Sequence, residues 1–268
     1  MAASEGVDLE WAIVEIARGS KLSRKYSKKV MDQANKCVMH IQKKLGKKFN
    51  IYHSDEKIPG YPRGIFGNPE PKTDIVIFTG SKKYFVSVKM EGGIQLASGE
   101  GRSTAKLFHA AAGNIKDATK KKKIQSLTDS LEGMPTRLLS ENNLKRILET
   151  KKKALIDEFI QNGKIRKDKS YELWSQQQKP KIMKAITDLA TNDKAFFDAL
   201  IYEALSGCKT LKDYPGASAN SIISPTGFYM IDSAYINKVK SKIKVDVRAK
   251  SRSGITSIAF RIETRGSI

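Results

Sequence analysis

Between Asp74 and Lys89 the chain is written as a hairpin, and that hairpin constrains the fold more than any other segment. Asp74 opens the apolar run Ile75-Val76-Ile77-Phe78, Thr79-Gly80-Ser81-Lys82-Lys83 is a tight polar turn, and Tyr84-Phe85-Val86-Ser87-Val88-Lys89 returns. Branched and aromatic residues on both sides of a short polar turn predict two paired strands. Side chains alternate along a strand, so Ser87 and Lys89 share one face while Val86 and Val88 take the other. Antiparallel pairing then brings Asp74, at the start of the first strand, to Lys89, at the end of the second. An acid and a lysine meet at one rim of a sheet.

The charge balance says what such a rim would face. Lys and Arg number 49 against 28 Asp and Glu, a net charge of +21, with a pI near 9.8. An excess of that size attracts a polyanion, of which nucleic acid is the commonest. An anionic membrane surface is the rival, but no run reaches the ~18–20 apolar residues of a spanning helix, and Met1-Ala2-Ala3-Ser4-Glu5-Gly6 lacks a signal-peptide layout. A merely lysine-rich, solubilising surface is the plainer alternative. With 268 residues, 40% of them hydrophobic and 29% charged, the chain can bury a full core. Cys37 and Cys208 are too few for a disulfide scaffold or zinc cluster, so a reducing, cytoplasmic setting is expected.

Helical patterning surrounds the hairpin. Residues 8–18 predict a short helix, with Asp8 as its cap and Gly19 as its stop. Over residues 25–45, Val30, Ala34, Cys37, Val38, Ile41 and Leu45 recur at three- and four-residue steps, the mark of an amphipathic helix. Phe49–His53 suits a first strand, and Ser103–Ala112 a helix entered from Gly99-Glu100-Gly101. From about 114 to 207 strand patterning vanishes and lysine dominates, with helices expected over 115–132, 142–162, 170–191 and 194–206. Strands return at 227–231, 243–248 and 257–263, the last two as a hairpin turning around Ser251–Gly254. The expected class is α/β: a mixed sheet flanked by helices, built from residues 1–113 and 211–268, with a lysine-rich helical insertion over 114–210.

Pro69-Glu70-Pro71-Lys72-Thr73-Asp74, a hairpin, and then Ser87-Val88-Lys89 resembles the PD-(D/E)XK (restriction-endonuclease-like) nuclease superfamily over roughly residues 45–113. In that pattern an aspartate is followed, one hairpin later, by acid-any-lysine. This chain departs from it at Ser87, because serine cannot supply the charge that a hard divalent cation wants. Some members carry Ser-x-Lys there and draw the missing carboxylate from a glutamate on the following helix. Glu100 and Glu91 are the two acids in reach of that part, Glu100 being preferred. The resemblance implies that Asp74, Glu100 and the Val88 carbonyl hold Mg²⁺, with Mn²⁺ as a substitute. Lys89 would orient the attacking water or neutralise charge on the phosphate, with Gln95 and Ser98 against a phosphate. The first helix of such enzymes often adds a glutamate; Glu10 and Glu15 are candidates, more simply read as solvated.

The wider basic surface is diffuse. Lys120, Lys121, Lys122 and Lys123 run together; Lys244, Arg248, Lys250 and Arg252 alternate near the end. Such ladders track phosphates, or equally keep a sheet edge from aggregating. Lys89 itself can be a snorkelling strand-end lysine. His40, His53 and His109 lack metal spacing and read as structural, and neither a P-loop nor a dinucleotide fingerprint is present. The expected function is Mg²⁺-dependent hydrolysis of DNA, double-stranded by preference, with a homodimer left open. The alternative is a nucleic-acid-binding or structural protein on the same scaffold, its active site lost at Ser87.

Overall fold

In α2 (Lys28–Leu45) the expected apolar stripe is buried: Val30, Ala34, Cys37, Val38 and Ile41 all turn inward. The computed structural model describes residues 5–61, 71–91, 94–113, 115–132, 193–249 and 256–262, with Lys184 and Asp188. Ser27 caps α2, its Oγ accepting the Val30 N–H at 3.2 Å. Gly46, at φ 82°, ends it and returns its N–H to the Gln42 carbonyl at 2.9 Å. The preceding helix, α1 (Glu5–Arg18), starts before the expected residue 8. Asp8 is therefore not its cap. It lies in the first turn, 3.1 Å from the Arg24 guanidinium. Gly19, at φ 65°, does stop the helix.

The two helices cover one face of a five-stranded mixed sheet of order β1-β2-β3-β5-β6. Its members are β1 (Asn50–His53), β2 (Ile75–Thr79), β3 (Lys82–Val88), β5 (Ser221–Ser224) and β6 (Gly227–Met230). The hairpin is as expected but turns more tightly: Thr79 pairs with Lys82, leaving Gly80-Ser81 at the tip, with Gly80 at φ 55°. Neighbours pair antiparallel, except that β3 and β5 run parallel. Alternation sorts the faces. Ile51, Ile75, Ile77, Val86 and Val88 join the α1/α2 core, while Val76 joins Ile58, Leu211 and Ala217 beyond the sheet. Asn220 locks the junction to β5: its Oδ1 accepts the Phe85 N–H at 2.9 Å, and its Nδ2 donates to the Lys83 carbonyl at 3.2 Å.

The chain divides into two compact units, one from residues 1–94, 201–242 and 262–268, the other from 95–200 and 243–261. The first holds the five-stranded sheet, α1, α2 and α6 (Ser233–Val239). The second holds α3 (Gly101–Ala112), α4 (Ala118–Glu132) and the opening turns of α5 (Lys194–Ser206). Phe108 of α3 meets Phe196 of α5 at 5.6 Å, and Asp117 and Asp193 cap α4 and α5. A separate three-stranded sheet has the order β4-β8-β7, from β4 (Ile94–Glu100), β7 (Ile243–Ala249) and β8 (Thr256–Ile262). So β5 and β6 join the strands of the first 113 residues, whereas β7 and β8 pair with β4 and not with the Asp74 hairpin. Residues 94–100, which lead into α3, are a strand that the residue pattern does not announce. The helices expected over 142–162 and 170–191, and the turn at 251–254, lie outside the described residues apart from Lys184 and Asp188. None of the described helices is long and apolar enough to cross a membrane.

Glu15 fixes the return from α1 to α2. Its buried carboxylate accepts the Tyr26 hydroxyl at 2.8 Å and the Ser23 N–H at 3.2 Å. Burial alone would raise its pKa; these donors outweigh it and hold the carboxyl below its ordinary 4.5. Glu15→Ala strands two donors and should lower the urea-unfolding free energy by about 2 kcal/mol at neutral pH. A carboxyl held low stabilises the fold above its unfolded pKa and loses that effect as pH falls. The gap between wild type and variant should therefore narrow below pH 4.5.

Candidate active site

Asp74 sits immediately before β2, and its backbone is pinned on both sides. Its N–H donates to the Val86 carbonyl and its own carbonyl accepts the Ser54 N–H, each at 2.9 Å. The approach is equally fixed: Lys72 and Thr73 donate their N–H groups to the Ala217 carbonyl at 2.8 and 3.2 Å, and Thr73 Oγ1 donates to the Ser218 carbonyl at 3.1 Å. The carboxylate then turns across to β3. Asp74 Oδ2 accepts the Val88 N–H at 2.7 Å and the Ser87 hydroxyl at 3.1 Å. Among the described residues nothing donates to Oδ1.

The strand pattern decides which way the Val88 peptide faces. Lys89 gives its N–H to the Ile223 carbonyl of β5 at 2.9 Å. Successive peptides point to opposite sides of a strand, so the N–H and C=O of Val88 face away from β5, toward Asp74. Ser87, through its hydroxyl, and Val88, through its N–H, thus receive the Asp74 carboxylate, while Lys89, just past the end of β3, acts on it through its charge.

Electrostatics add a residue. Burial pushes the Asp74 carboxyl up to about 6 from its ordinary 3.8; the Lys89 ammonium opposes this and the Glu10 carboxylate adds to it. Glu10, one turn into α1, is not solvated at random. His53 Nε2 lies 3.2 Å from Glu10 Oε2, and the imidazole stacks on Trp11 with centroids 4.1 Å apart and planes at 14°. Glu15, the other candidate acid of α1, is buried rather than solvated and holds Ser23 and Tyr26 instead.

The remaining candidates lie on other elements. Glu91 is exposed beyond the end of β3, its N–H donated to Gln33 Oε1 at 3.1 Å. Glu100, Gln95 and Ser98 lie on β4, with Glu100 the residue before α3; only their backbone is described. Lys120, Lys121, Lys122 and Lys123 are exposed on α4, Lys120 lying 3.5 Å from Asp193. Lys244 and Arg248 are on β7, described as backbone, and Lys250 and Arg252 lie outside the described residues. His40 Nε2 lies 3.2 Å from the Pro225 carbonyl, between α2 and the β5–β6 turn.

No cluster of three or more histidine, cysteine, aspartate or glutamate side chains that could hold a metal occurs among the described residues. The oxygen set at the rim nonetheless suits a hard cation in part. One oxygen of a partly buried carboxylate receives no donor from the described residues, a second carboxylate bears on it, and a carbonyl is turned the same way. Mg²⁺ keeps several waters, so it does not require an all-protein cage. Comparison of the chain with protein-family models, with curated proteins and with solved structures finds no match.

A carboxyl whose folded pKa is raised lowers stability as pH climbs from its unfolded to its folded pKa. The loss here falls between pH 3.8 and about 6 and persists above. Asp74→Asn retains an oxygen to accept from Ser87 and Val88 but carries no charge. In EDTA at pH 7.5 it should melt about 5 °C above wild type, and the two curves should converge below pH 3.8.

Proposed function

We propose that the protein is a metal-dependent DNA nuclease with a restriction-endonuclease-like core. What supports this reading is the Asp74 carboxylate held by Ser87 and Val88 at one rim of the five-stranded sheet, with the charges of Lys89 and Glu10 acting on it. Oδ1 of Asp74, the Val88 carbonyl and the Glu10 carboxylate are the groups that would hold Mg²⁺ or Mn²⁺. When bound, such a cation polarises the scissile phosphate and lowers the pKa of water at the site.

The chain's own residues have distinct tasks. Ser87 does not replace a carboxylate ligand; its hydroxyl holds Asp74 Oδ2, and Oδ1 receives no donor from the described residues. Glu10 supplies from α1 the second negative charge that Ser87 lacks. Lys89, whose ammonium is felt by Asp74, neutralises charge developing on the phosphoryl oxygens or orients the attacking water. The exposed lysines of α4 and the basic residues of β7 track the DNA backbone, which fixes position and reads no sequence. A reducing, cytoplasmic setting agrees with a buried Cys37 and an exposed Cys208, both free thiols.

A second reading, a nucleic-acid-binding protein that does not cut, draws on Ser87 alone. Nicking of supercoiled plasmid in Mg²⁺, Mn²⁺ or EDTA decides between them. Wild type should cut only with metal, and Asp74→Asn and Lys89→Ala should each lose roughly 100-fold or more in rate. Both variants should still shift DNA in a gel, with affinity falling steeply with salt. A salt-sensitive shift with no cutting in any metal would establish the second reading.

A further inference from the structure

We propose that His53 is a positioning residue that holds Glu10 in place as a carboxylate of the Asp74 site, an inference that rests on the metal-dependent reading above. His53 ends β1, where it pairs with Ile75, and the N–H of its neighbour Ser54 donates to the Asp74 carbonyl. The imidazole is therefore anchored to the same strand end as Asp74. The residue is 1% exposed, and both ring nitrogens are engaged. The Asp55 N–H donates to Nδ1 at 3.1 Å, which places the lone pair there and the proton on Nε2. Nε2 accordingly donates to Glu10 Oε2 at 3.2 Å.

Three further contacts fix where that donor points. Trp11 stacks flat on the ring. The His53 N–H donates to Glu56 Oε2 at 2.8 Å. Glu56 is in turn held by both terminal nitrogens of Arg18, whose Nε and Nη2 also donate to the Ile51 carbonyl at 2.9 and 2.7 Å. Arg18 closes α1 and Glu10 sits within it, so the helix is attached to β1 at two points, one of them the carboxylate itself. A long, mobile side chain is converted into a fixed acceptor. Its Oε2 takes the imidazole N–H, while the carboxylate's charge acts on Asp74. Buried rings used only for packing do not need this chain of donors. The aromatic stack would hold equally well with a phenyl ring.

Mn²⁺ binding, read from the loss of the free-ion electron paramagnetic resonance signal, tests the role without any cleavage assay. His53→Ala should weaken Mn²⁺ affinity about 10- to 100-fold, the usual effect of removing a partner that orients a ligand. His53→Gln, whose amide N–H falls where Nε2–H does, should recover most of it. His53→Phe preserves the stack without the donor and should bind as poorly as His53→Ala. In a Glu10→Gln background, His53→Ala should have no further effect. Wild-type affinity in His53→Ala or His53→Phe would overturn the positioning role. So would affinities that follow the melting temperatures of the variants rather than the presence of the donor. Failure of the wild-type chain to bind Mn²⁺ would instead overturn the metal-dependent reading, and this inference with it.

Discussion

A carboxylate held half-buried at the mouth of a hairpin sets the terms for the rest of the main unit. Asp74 is received by the Ser87 hydroxyl and the Val88 N–H, yet desolvation still raises its pKa to about 6. Such a group costs stability in its charged form, and the fold opposes that cost with a rigid frame. The segment before Asp74 is bonded to Ala217 and Ser218, its own backbone to Ser54, just past β1, and to β3, and β3 to β5. The residues around it are thereby prevented from relaxing to relieve the charge.

Two helices and a parallel strand make that frame. The apolar faces of α1 and α2 press on one side of the sheet, and the Arg18–Glu56 clamp and the Glu10–His53 hydrogen bond join α1 to β1. The surface ion pairs of this region contribute little individually. The hydrogen bonds to buried carbonyls and carboxylates matter more, because breaking one leaves a desolvated group without its partner. Geometry at the rim is thus a property of the helix–strand junction as much as of the hairpin.

The readable parts of the sequence are those governed by local periodicity. The helix over 28–45 shows its stripe, and the hairpin shows its alternation, which is enough to put Asp74 beside Ser87 at one rim. Strands β4 and β5 are not legible in the same way. Ser221-Ile222-Ile223-Ser224 is four residues with two apolar ones, too short to show a period. Residues 94–100 alternate little and contain glycine and serine, which signal a loop. The strand character of β5 and β4 comes from their neighbours β3 and β8, not from their own residues. Glu10 and His53 stand 43 residues apart and carry no mutual spacing signal.

The sequence alone determined the helical stripe of α2, the hairpin, the placing of Asp74 beside Ser87 at its open end and the excess of positive charge. Each follows from the identity of residues close along the chain or from simple summation of charge. Only the tertiary structure decided that Glu10 and not Glu15 bears on Asp74, that His53 has a donor to give it, and that β7 and β8 build a sheet apart from the hairpin. Those outcomes depend on which surfaces pack together. A side chain's partner across a helix–strand junction is set by burial and register, neither of which is written locally.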